Sequence, residues 1–497
     1  MKKVAIIGAG IAGLSAGCYM QMNDYDCQIF EMSPNPGGLC TAWKRKGYTF
    51  DGCIHWLVGS SPTEELHKFW QELGVIKPNN FINFDDAGEY EDGSGKVFTL
   101  YTNPGKLREE MIGFAPEDTE TIDEFIGAIR EISKYKIPIS KAPQLYNLFE
   151  LLKLASSMTP YMKFLKKWDI SLSEYSRRYK NEFLRKIFKL FFSEIYDFPT
   201  SNILFMLSWM GNKCGYPIGG SLAITNSLEK RYLELKGKIN YNSKVGKIIV
   251  DNGKACGVEL ENKERFDADI VISAADGHNT IFDMLEGKFL DKNVKEVYNK
   301  LNVYPSIMQV SLGISDRFEG VAGSISFPAK EIIKIDSSNE LKTIKLNIFN
   351  YDPTLAPEGK TSVVSFFRAD YFYWTSLKNQ NVKRYAAEKE KIAKHVIESM
   401  DNRFPGISAK VEVFDVATPS TYVRYTNNWQ GSYEGWIPNI KSFSTRINNT
   451  ISGLENFYMA GQWVMPGGGL PTGAITARFA AQYICKKDRK KFKTLSE

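Results

Sequence analysis

Histidine is scarce in this chain, with four in 497 residues, and the seven cysteines include no C-x-x-C pair. The clustered ligands of a zinc centre are missing, so no metal is expected. An odd number of scattered cysteines gives no disulfide framework either, which points to reduced thiols and a cytoplasmic setting. A large excess of one charge is absent as well: the net charge is +6, and 43% hydrophobic with 24% charged residues is a globular composition. On that balance nucleic acid is not an expected partner. The basic run Lys486-Lys487-Asp488-Arg489-Lys490-Lys491-Phe492-Lys493 reads as a solvated tail or as a patch for anionic lipid. Apart from Val4 to Met22, no uncharged stretch approaches the roughly 20 residues a membrane span requires. That stretch follows Met1-Lys2-Lys3 and imitates a signal peptide. Gly8, Gly10, Gly13 and Gly17 speak against it, since each weakens a helix by up to about 1 kcal/mol. A soluble or peripheral protein is expected.

What is present begins with punctuation by glycine. Val4 to Gly8 is a β-branched apolar run, Ala9 to Asn23 has helical composition after its glycines, and Cys27 to Met32 reads as a second, doubly buried strand. Further strand-like runs are Ile239 to Tyr241, Val245 to Asp251, Lys254 to Leu260 and Ile270 to Ala274. Helical stretches are expected at Glu120 to Lys134, Leu145 to Ser157 and Leu172 to Ile195, and a strand-rich pattern from Val303 to Val416. Asn456 to Met459 makes a last strand, followed by a helix from about Thr472. The chain is long enough for one large or two intimate domains, and no internal repeat is visible. The expected fold is α/β. Residues 1–70, 211–290 and 440–497 form a discontinuous cofactor domain, and 71–210 with 291–439 form an inserted mixed α+β substrate domain.

Gly8-Ala9-Gly10-Ile11-Ala12-Gly13 falls between a strand and a helix. Its first glycine permits the turn, its second lets backbone approach a pyrophosphate, and Gly13 allows close helix packing. The phosphate then rests on the helix N-terminus. Glu31, at the end of the second strand, suits an adenosine ribose. Pro36-Gly37-Gly38 and Gly47-Tyr48-Thr49-Phe50-Asp51-Gly52 follow at the spacing of two-dinucleotide-binding flavoproteins, and this resemblance implies FAD. A third piece runs from Gly461-Gln462 to Pro466-Gly467-Gly468-Gly469-Leu470-Pro471-Thr472-Gly473. There a strand end and a helix start would aim N–H groups at the flavin pyrimidine. Ala12, Leu39, Gly461, Gln462, Gly469, Leu470 and Thr472 thus join Gly8, Gly10, Gly13, Glu31, Gly37 and Gly38 as expected cofactor contacts. No second such fingerprint follows a strand, so bound nicotinamide nucleotide is not expected.

Nearly the whole chain resembles the phytoene desaturase, carotenoid isomerase and retinol saturase group of FAD enzymes. Phe50-Asp51-Gly52-Cys53-Ile54-His55-Trp56 is similar to its F-D-x-G-x-H variant. Ile170 to Tyr175 with Phe183-Leu184-Arg185 resembles a helical stretch of the group, and Tyr216-Pro217-Ile218-Gly219-Gly220-Ser221 its Y-P-x-G-G turn. Thr418-Pro419-Ser420-Thr421-Tyr422-Val423-Arg424-Tyr425, followed by Gly431 and Gly435, resembles a run near the flavin. The resemblance puts Val245 against adenine and implies a Rossmann-like FAD domain of the amine-oxidase and phytoene-desaturase type. It implies hydrogen transfer at flavin N5 that desaturates, saturates or isomerises an isoprenoid chain, with positioning as the protein's main task. The absence of an Arg after Gly37-Gly38 weakens the alternative of an amine oxidase, and intact glycines with Glu31 argue against a flavin-free prenyl-lipid carrier or escort protein.

No catalytic residue is assigned. His55, Trp56, Tyr422 and Arg424 are candidates for the substrate face, with a structural role for His55 the competing reading. His67, His278 and His395 have no motif partners and read as structural. Phe164-Leu165-Lys166-Lys167-Trp168 and Phe183 to Tyr196 mix basic and large apolar residues. They read either as helix packed on the substrate domain or as a membrane-docking surface for a water-insoluble substrate. Substrate identity, electron partner and oligomeric state are left open.

Overall fold

Four apolar residues in a row, Val4 to Ile7, need cover on both faces, and they receive it at the centre of a parallel sheet. The computed structural model describes residues 1–192, 196–210, 213–438 and 447–495, without the side chains of Leu190, Phe191 and Phe192. Strand Lys3–Ile7 pairs in parallel with Asp26–Phe30 on one side and Ile270–Ser273 on the other. Lys238–Asn240 and Phe457–Met459 complete the five strands at the two edges. The helix Ile11–Met22 follows the first strand and is buried almost throughout, packed between the helices Gly220–Glu234 and Gly469–Lys487. Glycine makes that packing possible: a Cβ on Gly13 would stand 1.8 Å from the carbonyl oxygen of Gly8, and one on Gly17 would stand 2.5 Å from the ring of Tyr232.

Val245–Asp251, Lys254–Leu260 and Arg265–Asp267 fold apart as a three-stranded antiparallel sheet. A seven-stranded sheet holds Ile307–Ile314, Ser324–Lys334, Glu340–Ile348, Thr361–Arg368 and Val411–Ala417, extended by Asp86–Glu91 and Val97–Tyr101. Helices from Pro104–Phe114 to Thr200–Trp209 gather round a separate aromatic core containing Phe125, Trp168, Tyr175 and Phe188. The expected domain limits at 211 and 440 lie outside the described residues, as does Ile195.

Three expectations differ from the structure. The stretch from Leu172 is two helices, Leu172–Ser176 and Glu182–Phe192. Between them the buried Asp118 carboxylate accepts from the backbone of Lys180 and Asn181, and Asn181 accepts from the N–H groups of Phe183 and Leu184, starting a new helix. The region 303–416 is not only strands: the helices Tyr371–Gln380 and Val382–Arg403 cover one face of its sheet. Finally, the basic tail folds back. Lys490 Nζ donates to the carbonyls of Asn23 and Asp24, Lys493 N donates to Asn23 Oδ1, and Asp488 pairs with Lys2 and Tyr25.

Candidate active site

A cavity of about 1730 Å³ opens where the strands Lys3–Ile7 and Asp26–Phe30 end. A single drug-sized ligand occupies roughly 300–1,000 Å³, so this volume has room for a dinucleotide and a second molecule. One wall is mostly backbone. Gly8 turns at φ +94°, Gly37 at +119° and Gly38 at +61°, and Gly37 N donates to Ala9 O at 2.9 Å. The helix Ile11–Met22 starts at Gly10 with no side-chain cap, so its first N–H groups have no side-chain acceptor. Across the cavity the helix Gly469–Lys487 also starts without a side-chain cap, after Gly468 at φ +59°. It begins three residues before the expected Thr472, so Gly469 and Leu470 belong to its first turn. A Cβ on Gly10 would meet nothing closer than Gly37 O at 3.8 Å, leaving room for a ligand to press on the backbone. Two uncapped helix N-termini facing one space, with glycine beside each, fit the pyrophosphate and pyrimidine of FAD.

Glu31 Oε2 accepts from Ala9 N at 2.6 Å and Oε1 from Ser33 N at 2.8 Å. Each oxygen keeps a lone pair, and the side chain lines the cavity. Burial pushes this carboxyl up, and the backbone donors of Ala9 and Ser33 oppose the shift. Ala12, Leu39, Val245, Gly461, Gln462 and Thr472 also line the cavity. Gly13 does not: its neighbour is Gly8, so its part is packing.

The opposite wall is built from side chains. Asp51, fully buried, accepts from the backbone of Cys53, Ile54 and Ser221 and from Ser221 Oγ at 2.6 to 3.1 Å, which fixes the loop carrying His55 and Trp56. Both of these line the cavity. The His55 ring stands open to the cavity it lines, 5.9 Å edge-on to Phe366. Enclosure, and then the Lys345 ammonium, push its imidazole down to about 4, so it is neutral at pH 7. Tyr422 donates to Gln309 Oε1 at 3.2 Å, and Gln309 Nε2 donates to the carbonyl of Asp51.

Arg424 corrects the expectation for the substrate face. It sits two residues after Tyr422 on the helix Pro419–Thr426, about 200° round the axis. It lies exposed on the outside, stacked 4.5 Å over the Tyr425 ring. Lys345, Tyr304, Tyr433 and Glu434 are cavity residues that the sequence reading missed. They come from separate segments, and Glu434 carried no signal beyond its place between Gly431 and Gly435.

The far arm of the cavity is apolar. Leu154, Met158, Tyr161 and Leu165 of the helix Leu148–Lys167 line it at helical spacing, opposite Phe205, Met206 and Trp209 of Thr200–Trp209. Phe164, Leu165 and Trp168, considered for a docking surface, are buried. Phe191 and Phe192, within the stretch Phe183 to Tyr196, lie outside the described side chains. Exposed apolar residues sit instead at the start of the same helix: Leu148, Phe149 and Leu152 are 75%, 77% and 64% exposed. Among the described residues no helix is long and apolar enough to cross a membrane.

The family model of flavin containing amine oxidoreductases matches residues 11–485. A prolycopene isomerase of Daucus carota is 25% identical over 96% of this chain and 79% of its own length. A lycopene-forming phytoene desaturase of Pseudescherichia vulneris is 23% identical, over 97% of this chain and 99% of its own. Among solved structures, cyclohexylamine oxidase from Brevibacterium oxydans superposes with a TM-score of 0.63 at 14% identity, covering 98% of this chain and all of that one.

Proposed function

The chain belongs to the flavin containing amine oxidoreductase family and is an FAD-dependent oxidoreductase; from that premise we propose that it adds, removes or shifts hydrogen on a long apolar polyene. The observation that carries this reading is the continuity of the cavity. The glycine-lined wall and the apolar arm under the helix Leu148–Lys167 enclose one space, so a chain-like molecule filling the arm reaches the cofactor end. The names of the desaturase and isomerase relatives supply the substrate class.

When bound, FAD supplies the hydride-transfer chemistry. In our proposal Glu31 takes the ribose hydroxyls, the N–H groups after Gly10 take the pyrophosphate, and backbone at Val245 meets adenine. Gly461, Gln462 and the first turn from Gly469 to Thr472 hold the flavin end. Leu39, Trp56 and Tyr422 press the polyene flat, and the apolar arm keeps water from the reacting carbons. His55, neutral at pH 7, serves as a polar edge of that space. Residues 1–70, 211–290 and 440–497 form the cofactor domain, with the rest as substrate domain.

A water-insoluble substrate needs a route in, and Leu148, Phe149, Leu151 and Leu152 give the helix Leu148–Lys167 an exposed apolar end next to Lys153. We assign that end to contact with anionic lipid. The seven free cysteines support a reducing, cytoplasmic setting.

The test is turnover by FAD-loaded protein of phytoene or prolycopene carried in phosphatidylglycerol vesicles, followed by chromatography of the polyene. The expected product has a changed number or geometry of double bonds. Unchanged polyenes together with peroxide on adding cyclohexylamine or putrescine would overturn the reading in favour of amine oxidation. A protein left colourless by anaerobic reconstitution with FAD would overturn enzyme function itself.

A further inference from the structure

Hydrogen added to or taken from a carbon chain as a pair travels as one hydride and one proton. FAD accounts for the hydride, and the proton needs a group belonging to the chain. Glu434 lines the cavity on the loop between Gly431 and Gly435, which turn at φ +65° and +75°. The loop is fastened: Tyr304 N donates to Gly435 O at 2.8 Å, and Gly435 N donates to Ser432 Oγ. Glu434 also abuts the start of the helix Gly469–Lys487, since a Cβ on Gly468 would stand 2.6 Å from its Cβ. A carboxyl group thus stands at the junction of the glycine wall and the substrate arm. Its surroundings are the rings of Tyr304 and Tyr433, 5.3 Å apart, with Phe198 behind Tyr304 at 5.8 Å.

We infer that Glu434 is the proton donor and acceptor for the substrate, an inference that rests on the polyene reading above. The carboxyl sits in apolar surroundings, and among the described residues it makes no salt bridge. Enclosure pushes it up to about 7, opposed by a hydrogen bond from Tyr304. The titratable groups facing it are Tyr304, Tyr433 and Cys53. Tyr196 stands behind Tyr304, and Cys40 and Asp51 stand behind Cys53. None of these is a cation that would hold it ionised. Two rivals serve less well. His55 is pushed down to about 4, so at pH 7 it is neutral, with an N–H too weakly acidic to donate and a ring nitrogen too weakly basic to hold a proton. Asp276, also raised to about 7, is held by backbone N–H groups of Asn279 and Trp429, one on each oxygen, whereas among the described residues no backbone N–H donates to the Glu434 carboxyl.

Saturation replaces one carbon–carbon π bond with two C–H bonds: one hydrogen comes as hydride from reduced FAD, the other as the Glu434 proton, and water reprotonates the carboxylate. Desaturation reverses this: one C–H bond breaks to give hydride to oxidised FAD, the neighbouring one gives its proton to the Glu434 carboxylate, and the double bond forms. The sign of the pH dependence therefore reports direction. Below about pH 7 the group is protonated and serves saturation; above it the carboxylate serves desaturation.

Glu434→Gln keeps the volume and an acceptor for Tyr304 while removing the titration. In FAD-loaded protein the expected result is a fall of about 100-fold or more in kcat with KM and flavin occupancy unchanged. The pH limb near 7 should disappear, and Glu434→Asp should restore part of the rate. In the saturating direction, wild-type turnover in D2O should place deuterium at the carbon protonated by Glu434, in step with kcat, whereas desaturation should leave the product without it. Infrared difference titration without substrate should show protonated carboxyl intensity that ionises near pH 7 in wild type and falls in Glu434→Gln to the part that Asp276 contributes, which Asp276→Asn removes. Near wild-type turnover with the limb intact in the Gln variant, or no such fall in carboxyl intensity, would overturn the assignment. Wild type inert toward both polyenes overturns the substrate reading instead, and the infrared titration then decides on Glu434 alone.

Discussion

Backbone forms the glycine-lined wall of the cavity, whereas side chains from separate elements form the opposite one. On the first wall, positive φ angles at Gly8, Gly37, Gly38 and Gly461 and two uncapped helix starts define the shape. On the second, Leu154, Met158, Trp209 and Tyr422 define it, and any residue of similar size fills the same space. A wall of backbone tolerates few sequences and so leaves a fingerprint; a wall of apolar side chains tolerates many.

That contrast breaks or sharpens under mutation. The largest effect is expected behind the rigid wall. Arg478, on the helix Gly469–Lys487, donates to Glu72 and Ser140 and lies 4.5 Å over the Phe69 ring, with Glu72 fully buried. Arg478→Ala leaves the Glu72 carboxylate buried and uncompensated, at a cost of about 3–5 kcal/mol. Thermal unfolding should show it as a large drop in Tm, and a Tm close to wild type would mean that wall is less rigid than its contacts imply. Next comes Glu31→Ala, which removes the proposed ribose acceptor and should weaken FAD retention by about 2 kcal/mol, near 30-fold. Flavin absorbance after dialysis reads it, and undiminished occupancy would count against the ribose assignment. The smallest effect belongs to the outer end of the apolar arm: Phe149→Ser with Leu152→Ser should leave stability within about 0.5 kcal/mol. The same pair should lower sedimentation with phosphatidylglycerol vesicles several-fold. Equal sedimentation of both proteins would remove this end from the lipid contact.

The same contrast explains what could be read from the sequence. Strands Lys3–Ile7, Lys254–Leu260 and Phe457–Met459 and the glycine turns were legible because β-branched runs and glycine spacing act locally. The break before Glu182 was hidden, because it depends on Asp118, far away in the chain. Arg424 was misjudged because a motif fixes neighbours in sequence but not which side of a helix they take. Lys345, Tyr304 and Glu434 meet only through tertiary packing, so neither periodicity nor spacing could announce them.

One fastening links the two walls. Just before the helix Leu148–Lys167, the carbonyl of Ser140 accepts from Arg478 and from Gln482 Nε2, and Ala142 N donates to Gln482 Oε1. The exposed apolar end and the helix Gly469–Lys487 are therefore clamped side by side through one short segment. A surface that grips Leu148 and Phe149 grips the frame of the whole molecule. Under the lipid contact proposed above, that clamp would hold the protein at one tilt, much as a moored vessel keeps its bow to the line.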